Sequence, residues 1–71
     1  MKVNELLSVT MAAEIFITTV ENLTYYSTDG GNSFHGSIFN WSDEIDMKEI
    51  NSHNVIKYAP RSEYRVEIYT D

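Results

Sequence analysis

Three features of the sequence predict a small α+β fold. Apolar residues recur at helical spacing near the N-terminus, β-branched stretches alternate between two faces, and glycine, asparagine and proline break the chain between those stretches. The expected architecture is a short N-terminal helix, a mostly antiparallel sheet of about five strands, and a short acidic helix between the third and fourth strands. Residues 1–71 are read as one domain, with no linker, repeat or low-complexity tract.

Val3, Leu6, Leu7, Thr10 and Met11 fall at i, i+3, i+4, i+7 and i+8. This is the pattern of an amphipathic helix covering a sheet, with Asn4 as its expected N-cap before Glu5. In the next segment, Ala13 to Val20, Ile15, Ile17 and Thr19 lie on one face and Phe16, Thr18 and Val20 on the other. Apolar groups on both faces predict a central strand. Glu21-Asn22 then turns the chain into LTYYST, because asparagine tolerates the positive φ that tight hairpins need.

Asp29-Gly30-Gly31-Asn32 is a second, glycine-rich break, after which SFHGSIF reads as a third strand bent at Gly36. Beyond the acidic segment, NVIKYA alternates Val55, Lys57 and Ala59 with Ile56 and Tyr58. Ala59-Pro60-Arg61-Ser62 is expected to be the loop into EYRVEIYT, where Tyr64, Val66 and Ile68 oppose Arg65, Glu67 and Tyr69. The predicted core is Ile15, Ile17, Val55, Val66 and Ile68.

Composition narrows the function. A chain of 71 residues buries only about 60% of its unfolded surface, so its stability is modest. It has no cysteine, which removes disulfides and thiolate chemistry and suits a reducing, cytoplasmic compartment. MKVNELLSVTMAAE lacks the long apolar stretch of a signal peptide, and no run approaches a membrane span. The patterns at Asn22-Leu23-Thr24 and Asn40-Trp41-Ser42 therefore carry no glycosylation meaning.

Eleven acids against five bases give a net charge of −6. Lys2, Lys48, Lys57, Arg61 and Arg65 are scattered, so direct nucleic-acid binding is not expected. A basic protein surface is the electrostatic complement. No catalytic motif is present: Ser27, Ser33 and Ser37 lie outside any nucleophile elbow, and Gly30-Gly31 lacks the lysine of a phosphate loop. His35 and His53 lack zinc spacing, and Ile45 and Met47 interrupt the alternate oxygens that a calcium loop requires. No metal, cofactor or enzymatic activity is expected.

The segment GSIFNWSDEIDMKEI carries the candidate site. Asp43, Glu44, Asp46 and Glu49 follow Trp41 within a few positions, and a helix capped by Ser42 or Asp43 would place the first acids against its dipole. Capping accounts for one or two carboxylates better than for four. The surplus, with an aromatic anchor beside it, predicts a partner-binding surface made of Trp41, Asp43, Glu44, Asp46 and Glu49. On a helix, Asp43, Asp46 and Glu49 would be spaced roughly 4.5 Å apart along the axis.

In size, acidity and lack of catalytic motifs the whole chain resembles the small acidic accessory proteins of bacteriophages and mobile elements, including inhibitors of the anti-CRISPR type. Some of those inhibitors occupy nucleic-acid sites on their targets, and the acidic charge of this chain predicts a non-enzymatic protein-binding module, an inhibitor whose carboxylates replace phosphates on a basic host surface. A second expectation from the residues is a small structural or assembly protein that homodimerises through a sheet edge and uses its acids for solubility.

Overall fold

Glu14–Thr18 (β1) and Arg65–Thr70 (β4) lie side by side and parallel at the centre of a four-stranded mixed sheet. The structure, a computed structural model, describes residues 1–36 and 44–71. Thr24–Ser27 (β2) pairs antiparallel with β1, and Val55–Pro60 (β3) pairs antiparallel with β4, giving the order β2-β1-β4-β3. A short helix, Val3–Leu7 (α1), precedes the sheet, and a single 3-10 turn, Ile50–Ser52, precedes β3.

The alternation read from the sequence sets the faces. Ile15 faces Ser27 on one side and Val66 on the other, and Ile17 faces Tyr25 and Ile68. Paired residues point to the same side of a sheet, so these isoleucines and Val66 form one apolar floor. All four aliphatic residues are buried, together with Val3, Phe34 and Ile50 above them. Leu6, Leu7, Ile45, Met47 and Val55 pack around that cluster. Val55, expected in the core, is half-buried at the sheet edge, while Phe34 and Ile50 join from segments not assigned to it.

Several expectations are corrected. The helix is capped by Lys2 rather than Asn4, with the Lys2 backbone N–H donating to Glu5 Oε1 at 2.9 Å. It ends at Leu7 because the hydroxyls of Ser8 and Thr10 donate to the carbonyls of Glu5 and Leu6, both at 2.7 Å. Side-chain bonds of this kind compete with helix propagation. Met11, assigned to the apolar stripe, is consequently 96% exposed.

Pro60 belongs to β3, opposite Val66, and the loop begins at Arg61. Of the third strand expected over 33–39, the described residues show one antiparallel bridge, His35 to Tyr26, and residues 37–39 lie outside them. Residues 44–49 of the acidic segment are not helical, and the 3-10 turn begins only at Ile50. Glu44 bridges His35, the Ile45 N–H donates to the Phe34 carbonyl at 2.9 Å, and Asp46 Oδ1 accepts the Lys48 N–H at 2.9 Å. Sheet-like pairing followed by a side-chain-stabilised turn replaces the first helical turn there.

Both sequence-marked breaks turn the chain, the first across Thr19 to Asn22 rather than at the two residues Glu21-Asn22 alone. Asn22 adopts φ 63°, and its N–H donates to the Thr19 carbonyl at 2.9 Å. In the glycine-rich break, Asp29 Oδ1 accepts the Ser27 hydroxyl at 2.7 Å, and its Oδ2 accepts the Ser33 hydroxyl at 2.7 Å. Ser27 Oγ in turn accepts the Gly31 N–H at 2.9 Å. This network delivers Phe34 into the core.

Candidate functional site

The ends of β1 and β4 meet the 3-10 turn around a cleft of about 390 Å³. Parallel pairing brings the C-terminal ends of both strands to one rim of the sheet. Thr19, Val20 and Glu21 come from the end of β1, and Asp71 follows β4. Leu23 and Tyr25 come from the hairpin beyond, and Ile45, Asp46, Glu49, Ile50 and His53 close the opposite wall. The floor is apolar, and four carboxylates, Glu21, Asp46, Glu49 and Asp71, stand around it with no Lys or Arg in the lining among the described residues.

The electrostatics follow from that composition. Burial first, and then the charges of Glu49 and Glu21, raise the Tyr25 phenol above its ordinary pKa. A phenol resists ionisation when it is desolvated and faced by negative charge. The carboxylate of Asp71 is held below the usual range chiefly by hydrogen bonds from the side chain and backbone of Asn54. His53 Nδ1 donates to the Asp71 backbone carbonyl at 2.8 Å and lies 3.6 Å from its carboxylate. Asp71 is therefore fixed in place and ionised at neutral pH, while Glu49 is exposed at the rim.

Two of the expected site residues, Asp46 and Glu49, line this cleft. Glu44 is exposed and lines a second, shallower cleft of about 490 Å³ with Asn4, Asn32 and Asn51, a cleft that Asp46 also reaches. Trp41 and Asp43 lie outside the described residues. The sequence reading missed Glu21, Tyr25, His53 and Asp71. They sit at strand ends that converge only through the parallel pairing of β1 with β4, which no local pattern announces.

The other face of the sheet collects Lys57, Arg61 and Arg65 among aromatic rings, a grouping invisible in the linear order. Lys57 Nζ lies 5.5 Å from the Tyr69 ring centroid, and the Arg65 guanidinium lies 4.9 Å from that of Phe16. Phe16 stacks on Tyr26 with centroids 5.8 Å apart. These cations are engaged locally: Arg61 Nε bonds Glu67 at 2.8 Å, and Arg65 Nε lies 3.5 Å from Glu14. The Tyr69 hydroxyl and Arg61 hold the Glu67 carboxyl below its usual range. Cross-strand pairs of this kind stitch a solvated sheet face, and the acidic cleft is the better candidate for binding.

No group of His, Cys, Asp and Glu among the described residues is arranged to hold a metal ion. Among those residues no helix is long and apolar enough to cross a membrane. The chain matches no family model, no curated protein and no solved structure.

Proposed function

We propose that the chain is a non-catalytic acidic protein-binding module whose cleft receives a lysine or arginine side chain from a basic partner surface. The observation that supports this reading is the four-carboxylate rim over an apolar floor, with the Tyr25 phenol under the charges of Glu49 and Glu21. An aliphatic stem would bury against Leu23, Ile45 and Ile50 while its cationic head meets the rim, the division of labour that long basic side chains favour. A partner of the nucleic-acid-binding type fits, because its basic surface is built for phosphates and carboxylates present the same charge. An inhibitor role follows from that competition. The phosphate-like spacing of Asp43, Asp46 and Glu49 on a helix is not part of the proposal, since residues 44–49 do not form one.

The test is an NMR titration of the full chain with a short arginine-rich peptide across a salt series. Shifts should concentrate on Glu21, Tyr25, Asp46 and Glu49 and weaken as salt rises. The triple variant Glu21→Gln, Asp46→Asn, Glu49→Gln, folded by circular dichroism, should lose most of the binding and flatten its salt dependence. Shifts elsewhere, or a triple variant that binds like the original, would remove the cleft from the function. A pull-down from bacterial lysate with both proteins then identifies a partner retained only by the unsubstituted chain.

A further inference from the structure

The outer edge of β3 carries an interaction surface of a different kind. The Arg61 N–H donates to the Arg65 carbonyl at 3.0 Å, which makes that pair hydrogen-bonded. Hydrogen-bonded and non-hydrogen-bonded pairs alternate along an antiparallel ladder. Ala59–Glu67 and Lys57–Tyr69 are therefore also hydrogen-bonded, whereas Pro60–Val66 and Tyr58–Ile68 are not. Pro60 fits this assignment because it has no N–H to give to β4. The N–H and carbonyl of Tyr58 and the carbonyl of Pro60 consequently point away from the sheet.

The start of this edge is occupied within the chain. The Met1 carbonyl accepts the Val55 N–H at 2.8 Å, and Lys2 bridges Asn54. Beyond that cover, the register shift between Val55 and Lys57 leaves Ile56 as an extra residue. What remains open among the described residues is Ile56 to Pro60, where Ile56 is 62% and Tyr58 48% exposed, with Tyr64 at 62% in the following loop.

We propose that two copies of the chain pair antiparallel through β3 about a two-fold axis at Tyr58. This inference is independent of the acidic cleft, none of whose carboxylates belongs to β3. With Tyr58 on the axis, each Tyr58 N–H donates to the carbonyl of its counterpart, and the two rings oppose each other on one face. Lys57 then lies across from Ala59 of the second copy and Ile56 across from Pro60, so no like charges face one another. Moving the axis to Ile56 runs each strand into the segment covered by Met1 and Lys2. Moving it to Pro60 places two residues without N–H groups at the centre. A mixed partner strand gains nothing from this symmetry, whereas a second copy satisfies it on both sides.

Pro60, the bulge and Lys57 are devices that restrict edge pairing, and here they limit it to one short register rather than open-ended stacking. The result is a closed dimer with an extended sheet and two acidic clefts.

Sedimentation equilibrium of the full chain from micromolar to millimolar concentration, at low and high salt, tests this. A reversible monomer–dimer equilibrium little changed by salt is expected, since backbone bonds and apolar contact carry it. Tyr58→Lys sets two ammonium groups across the axis and should weaken dimerisation about tenfold or more, as loss of an aromatic anchor does, with the circular dichroism spectrum unchanged. Ile56→Lys, at the flank of the same register, is the second variant should Tyr58→Lys not fold. A chain that is monomeric throughout, a dimer abolished by salt, or a folded variant with the original dimerisation constant would overturn the proposal.

Discussion

Asp29 grips Ser33 twice, accepting its backbone N–H at 3.0 Å on Oδ1 and its hydroxyl at 2.7 Å on Oδ2. Hydrogen bonds from Ser27 and Ser33 to the carboxylate hold the Asp29 carboxyl far below its ordinary pKa. A group whose pKa is depressed on folding stabilises the fold above its unfolded pKa, about 3.9 for aspartate. That stabilisation is lost as pH falls below this value. Thermal melts of the original chain should therefore decline on acidification below about pH 4. Asp29→Ala should melt earlier at neutral pH and show a flatter acid limb, and identical acid limbs would remove Asp29 from the acid response.

The two glycines beside it should respond unequally to substitution. Gly30 and Gly31 both have positive φ, at 77° and 94°, so alanine is strained at either position by roughly 1–2 kcal/mol. A Cβ at Gly30 meets nothing within 4 Å, whereas at Gly31 it would lie 3.3 Å from Ile15 Cδ1. Gly31→Ala should therefore be the more destabilising of the two in urea unfolding.

The core and the end of the helical pattern make opposite predictions. Val66→Asp places an unpaired charge in a fully buried site, costing several kcal/mol against a total stability on the order of 5–15 kcal/mol. It should leave no cooperative unfolding transition. Ile68→Ala should cost about 2–5 kcal/mol. Met11→Gln should change stability by less than about 0.5 kcal/mol, because Met11 stands in solvent despite its place in the apolar repeat.

How much could be read from the sequence depended on the range of the interaction that decided each segment. Ile15, Ile17, Val66 and Ile68 were legible as core because alternation in a strand is a local property, and Asn22 was legible as a turn for the same reason. The parallel register of Ile15 with Val66 is not local, and it decides both the strand order and the convergence of Glu21 with Asp71. The acids after Asp43 read as a helix start because carboxylates there suit the dipole. The bridge from Glu44 to His35 and the turn at Asp46 displace that helix, and the bridge depends on a residue outside the acidic segment. Of the candidate site, Asp46 and Glu49 were found by composition, while Tyr25, His53 and Asp71 came only from the fold.

Tyr25 offers a reading of the cleft that needs no partner. In Glu21→Gln/Glu49→Gln, the phenol pKa followed by ultraviolet or NMR titration should move down from its raised position. It should remain above the ordinary value, because burial is the larger cause and persists. An unshifted phenol would mean that these carboxylates do not set the potential there.

Chelation is expected to leave the melting temperature unchanged, since neither the acids nor His35 and His53 have ligand spacing. A fall on chelation, restored by zinc or calcium, would reverse that expectation.

The side-by-side placement of β1 and β4 also dictates the order in which this chain can fold. β1 can close a hairpin with β2 early, but its other flank awaits β4, whose partners in the register lie near opposite ends of the sequence. Loop-closure entropy must be met before that pairing returns anything, which slows folding relative to a chain of local contacts. During synthesis the Ile15–Ile17 flank stays uncovered until the segment Arg65–Thr70 has left the ribosome. The fold therefore completes only once that segment is free to pair, and losing β4 would expose the centre of the sheet rather than trim its edge.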